Sequence, residues 1–204
     1  MVTRTTRRKI LAVLAGGLVL GVGTAVTLAA WNDSEFAKGV FTAGSFNLQG
    51  ATDGAGGTYT DHASSNGAAA LSFQLPATAA AMSPGDVVTA PFWVRLDATT
   101  TNGATLEAAG VQPGTGSDAA HLSYEVRALG PTDTCDADAA GPVVASGATL
   151  DAIEGGTPVT LTAGTGGAAG TPVQLCFIVT ADAALTQGTT STETWQFTAT
   201  STAN

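Results

Sequence analysis

Few residues in this 204-residue chain have the type and spacing to do chemistry. Cys135 and Cys176 are its two cysteines. Such a pair forms a disulfide, stays as two thiols or holds a soft metal ion. The wide spacing argues against a redox pair, whose thiols sit close together. His62 and His121 are its two histidines. A zinc peptidase helix carries His-Glu-x-x-His, and neither histidine has that setting. Asp133, Asp136 and Asp138 surround Cys135. Their oxygens suit a weakly held calcium ion, but the run lacks the EF-hand spacing and its closing glutamate. A solvated acidic loop is the plainer reading. Trp93 and Trp195 would suit a carbohydrate platform or, more usually for strand tryptophans, the packing of a core. No serine lies in a Gly-x-Ser-x-Gly elbow. The Gly-rich stretches lack the lysine and following helix of a phosphate loop. We therefore assign no catalytic, cofactor-binding or metal-binding residue, and the chain reads as a non-enzyme.

The elements that must position these residues are strands. Val88, Ala90, Phe92, Val94 and Leu96 alternate with Trp93 and Arg95 on the opposite face. Leu122, Tyr124, Val126 and Ala128 alternate with Ser123, Glu125 and Arg127. Val173, Leu175, Phe177 and Val179 oppose Gln174, Cys176 and Ile178, and Trp195, Phe197 and Ala199 share a face. Further strands are expected at 41–49, 71–75, 105–111, 143–144 and 158–162, with a short edge strand at 58–60. Pro91 lacks a donor, which predicts a bulge or an edge there. Turn signals recur roughly every ten residues, giving about eight to ten strands and no convincing helix among them. The pattern predicts an all-β chain, an antiparallel β-sandwich, with jelly-roll and Ig-like topologies both open.

Charge narrows the function classes. Four of the seven basic residues are Arg4, Arg7, Arg8 and Lys9. Beyond residue 30 only Lys38, Arg95 and Arg127 stand against all sixteen acids, a net charge near −13. Nucleic-acid binding needs clustered Lys and Arg, so this balance excludes it. An anionic lipid surface is disfavoured for the same reason.

The N-terminus has the layout of an export signal: the basic cluster, an apolar run from Ile10 to Ala30, and small residues before polar Asn32-Asp33. Cleavage is expected at Ala29 or Ala30. The run is long enough to span a bilayer, so a retained anchor is the competing reading, and the membrane would be touched only through an uncleaved signal. Gly16, Gly17, Gly21 and Gly23 weaken a helix there. The expected organisation is a signal peptide at 1–30, a lead segment at 31–39 and a β-sandwich domain at 40–204. An exported chain meets an oxidising environment, which favours a Cys135–Cys176 disulfide over the alternatives.

The apolar signal is followed by Trp31-Asn-Asp-Ser-Glu35 and then by Phe41-Thr-Ala-Gly-Ser-Phe-Asn-Leu48. This pairing resembles the alternate-signal exported proteins of the TasA/camelysin family. Met82-Ser-Pro-Gly-Asp86 resembles the family's Pro-Gly-Asp turn, and Gln187-Gly188 with Trp195-Gln-Phe-Thr-Ala199 its closing strand. The resemblance implies processing by an ER-type signal peptidase, a jelly-roll-like sandwich and a place at the cell surface or in an extracellular matrix. It also brings in a surface metallopeptidase reading, because camelysin has been described as one.

The expectation is an exported structural protein, secreted or at the cell surface, that self-assembles into fibres or joins a co-exported surface protein. After cleavage, a short extended lead would run into a strand and pair with an open sheet edge of a neighbour. Trp31, Phe36, Phe41, Phe46 and Leu48 are the expected contacts. The alternatives are a lead that folds back as the first strand of its own sandwich, and a monomeric binding module or adhesin.

Overall fold

A computed structural model describes residues 4–26, 38, 44–74, 82–116 and 118–202. The chain divides into two compact units, Met1–Thr42 and Ala43–Asn204. In the first, a helix, α1, runs from Arg4 to Val26. It forms despite its four glycines, each costing about 1 kcal/mol relative to alanine in a helix interior. Among the described residues no helix is long and apolar enough to cross a membrane. Ala29, Ala30, Trp31, Phe36 and Phe41 lie outside the described residues.

The second unit is an all-β sandwich of two antiparallel sheets. Its strands are β1 (Leu48–Ala51), β2 (Val87–Leu96), β3 (Ala104–Gly116), β4 (Leu122–Leu129), β5 (Val143–Gly147), β6 (Glu154–Gly155), β7 (Val159–Leu161), β8 (Val173–Ala181) and β9 (Ser191–Ser201). One sheet has six strands in the order β1-β2-β8-β4-β5-β6, and the other has three in the order β7-β3-β9. The alternation read from β2, β4 and β8 sets the register: Val88 opposes Val179, Ala90 opposes Phe177, and Val126 opposes Phe177 across the other edge of β8. These side chains and Leu96, Leu106, Leu161 and Leu175 form one buried core between the sheets. Phe177, Leu96 and Leu106 are nearly or wholly inaccessible. Fully burying each such side chain is worth about 1.5–3 kcal/mol.

Three local expectations are corrected. Of the strand expected at 41–49, the described residues 44–47 are not strand and β1 begins at Leu48, although Ser45 makes a single parallel bridge to Thr100. Residues 71–73 do not form a strand, and Gln74 makes one antiparallel bridge to Thr89. Pro91 is neither at an edge nor in a bulge; it pairs opposite Cys176 in the second strand of the larger sheet. Its missing donor is tolerated because β1 covers only Trp93–Leu96 and Gln74 only Thr89, so Pro91 falls in the gap between them.

The outer face of the larger sheet is also covered along β2 and β8. On β8, Gln174, Cys176 and Ile178 are buried although they point away from the core. The loop at 130–141 lies over them, tied down by the Cys135–Cys176 disulfide. Trp93 Nε1 donates to the Pro131 carbonyl at 2.8 Å, and Thr89 Oγ1 donates to the Cys135 carbonyl at 3.2 Å. Beside them Trp93, Ala51 and Tyr59 make a second small cluster. The Arg95 guanidinium sits 3.7 Å from the Tyr59 ring centre.

Candidate functional site

The residues with chemical potential are mostly spent on structure. Cys135 and Cys176 are bridged, and none of the described residues is a free cysteine. Asp133 accepts the Gly130 N–H and Asp136 accepts the Asp138 N–H, so both carboxylates hold local turns. Among the described residues no three His, Cys, Asp or Glu side chains are placed to hold a metal ion. His62 Nε2 lies 3.2 Å from Thr60 Oγ1, and its ring meets Phe92 edge-on. His121 Nδ1 lies 3.0 Å from Asp182 Oδ2. That contact raises the His121 pKa and lowers that of Asp182. The two histidines thus belong to separate neighbourhoods.

The tryptophans do not form a platform. Trp93 lies on the outer face of the larger sheet under the 130–141 loop. Trp195 points inward from β9, with ring centroids 5.3 Å from Tyr124 and 5.1 Å from Phe177.

The feature that local sequence reading missed is a groove of about 1510 Å³ between the sheets. One wall is β1 and β2, with Leu48, Val88, Phe92 and Val94. The other is β9 and the turn before it, with Leu185, Trp195 and Phe197. The 61–73 loop adds a further wall, with Leu71 and Phe73 packed against the core, while Val88, Ala90, Val94 and Leu96 on the inner face of β2 stay buried. Gly50 is required here because a Cβ would collide with the Phe92 ring. Phe46 and Leu48, expected as assembly contacts, both line this groove; Phe46 is 41% exposed and Leu48 pairs with Leu96.

β9 is the end strand of its sheet, and among the described residues no strand pairs with its second edge. Its side chains alternate, with Glu193, Trp195, Phe197 and Ala199 less exposed than Thr192, Gln196 and Thr198. Among the described residues, Glu193 Oε1, Trp195 Nε1 and His62 Nδ1 are buried polar atoms without a hydrogen-bond partner, and all three residues line the groove. Burial raises the Glu193 pKa and the charge of Asp151 adds to it, against the backbone N–H groups of Thr194 and Gly114. The groove's other carboxylates are satisfied. Asp61 accepts Asn47 Nδ2 at 3.0 Å, and Asp118 accepts the Thr186 N–H and Thr189 Oγ1. The Thr186 N–H is the main reason the Asp118 pKa is lowered. No Lys or Arg is among the lining residues.

Comparison with known proteins finds no matching family model and no similar curated protein.

Proposed function

We propose that this chain is an exported, non-enzymatic structural protein of the cell surface or extracellular matrix, built on a jelly-roll-like sandwich, that assembles by strand addition. The lead segment 31–39 of one copy pairs with the free edge of β9 in the next and lays apolar side chains into the groove. The observation that carries this reading is an eleven-residue edge strand bordering a groove of about 1510 Å³. Small-ligand pockets run about 300–1,000 Å³ and enclose their ligand, so an open groove of this size along a strand suits an extended segment better. An unpaired edge of this length is a template for another chain, which proteins ordinarily shorten or cover. The lengths also agree: nine extended residues span about 30 Å, within the roughly 36 Å of β9. Pairing of this kind is head-to-tail and grows filaments when it does not close.

Export, cleavage at Ala29 or Ala30 by an ER-type signal peptidase, and secretion rest on the layout of residues 1–30 and on the resemblance of residues 31–48. The disulfide supports an oxidising destination. The test is electron microscopy of the chain beginning at Trp31, over a range of concentration and pH. Filaments that disappear when residues 31–39 are deleted are the expected result. Compact single particles under every condition would replace this reading with that of a monomeric binding module.

A further inference from the structure

Glu193 is an odd residue to find on the inner face of an edge strand. Its Oε1 is buried without a partner, and it lines a groove whose facing wall includes Leu48, Val88, Phe92 and Val94. An inward-pointing charge at a sheet edge blocks indiscriminate strand pairing, because an apolar strand that enters must bury that charge unpaired. Such a block becomes a filter when one particular strand brings the opposite charge to the same place.

The chain has one residue suited to that task. Beyond residue 30 its basic side chains are Lys38, Arg95 and Arg127. Arg95 is committed to the Tyr59 ring. Arg127 is committed to Glu125 at 2.6 Å and to the Gly141 carbonyl at 2.9 Å. Lys38 is exposed and lies inside the lead segment. In an extended strand Phe36, Lys38 and Val40 share one face. The inward face of β9 has the same spacing in Glu193, Trp195 and Phe197. With Lys38 beside Glu193, an aromatic or branched side chain of the incoming strand falls beside Trp195 in either strand direction: Phe36 if antiparallel, Val40 if parallel.

We infer that Glu193 receives Lys38 of a neighbouring copy, and that this ion pair selects the incoming strand and fixes its register in the groove. The inference rests on the strand-addition reading and adds to it the residue pair that gives it specificity.

Charge reversal in trans tests it. In chains beginning at Trp31, K38E and E193K each place like charges together. Each alone is expected to raise the concentration needed for filaments by roughly thirtyfold or more, the low end of the cost of a mismatched buried charge pair. Mixed one to one, they should co-assemble at near the wild-type concentration, because each lead then meets a groove of opposite charge. K38E changes an exposed residue, so its defect cannot be laid to misfolding. Wild-type filaments with unaltered K38E and E193K assembly would overturn the ion pair and leave strand addition standing. Rescue only when both substitutions sit in one chain would place the contact within a subunit and overturn the inference. A wild-type chain that never assembles would remove both.

Discussion

The larger sheet is finished differently on its two sides. Its outer side is closed over β2 and β8 by the chain's own loops, with the disulfide, the Trp93–Pro131 hydrogen bond and the Arg95–Tyr59 contact holding them. Its inner side packs on the small sheet and borders the groove, which β1, β2 and β9 line. Both sides contain unpartnered polar atoms. On the outer side Gln174 Oε1 belongs to a residue only 2% exposed, sealed from any second chain. On the inner side Glu193 and Trp195 line the groove proposed to receive a second chain. Covalent and hydrogen-bonded closure marks the side built for stability, and the groove marks the side that the proposed strand addition would use.

The largest way to break this contrast is to cut the disulfide. Replacing Cys135 and Cys176 together with Ala frees a loop of sequence separation 41. It should cost up to about 4 kcal/mol in the chain-entropy description. Urea denaturation of wild type and double variant reads this directly. Filament formation by the folded double variant should be unchanged, because the bridge is on the outer side. A parallel loss of assembly would mean that the two sides are not independent.

Trp93→Phe keeps a ring under the loop and removes only the donor to Pro131. A typical hydrogen bond contributes about 0.5–1.5 kcal/mol net, and a loss in that range is expected from denaturation midpoints. No change would show that the loop is held by the disulfide alone. Arg95→Met sharpens the point further. It keeps an aliphatic stem over Tyr59 but deletes the cation, for an expected loss of about 1 kcal/mol at a cation–π contact between a half-buried Arg95 and a buried ring.

Much of the sandwich was legible in the chain because its central strands alternate strictly. Period two in β2, β4 and β8 put Val88, Val126 and Phe177 on the core side, where the structure has them. The same alternation put Trp93 and Cys176 on the opposite face, but nothing local says that distant loops cover that face. Residues 71–75 have a strand's alternation, yet of the described residues 71–74 only Gln74 makes a bridge; in that antiparallel register the preceding residues would meet Ala90–Phe92, where Pro91 offers no donor. β6 escaped notice because Glu154-Gly155 is too short and too exposed to carry a pattern. The groove was illegible for a deeper reason. It is lined by distant stretches, from the 61–73 loop to β9, brought together by strand order, and strand order is a property of long-range pairing. The local hint was Glu193 itself, a charge on the face that also carries Trp195 and Phe197.

That hint gives the smallest predicted effect. Burial holds the Glu193 pKa above its unfolded value. A raised carboxyl pKa means the unfolded chain gives up its proton first as pH rises. Stability from this group is therefore complete below the unfolded pKa. It falls as pH rises through the interval up to the folded pKa, and stays lower above it. Glu193→Gln is neutral throughout, so it should match wild type in acid and exceed it modestly at neutral pH. Denaturation midpoints of both proteins at pH 3.5 and pH 7 measure the difference. Equal gaps at the two pH values would mean that the Glu193 charge costs the isolated fold nothing, and would remove the physical reason for a lysine to be welcomed there. A gap confined to neutral pH, together with weaker discrimination against lead segments carrying K38E, would show the same carboxylate costing stability in the single chain and providing selectivity in the assembly.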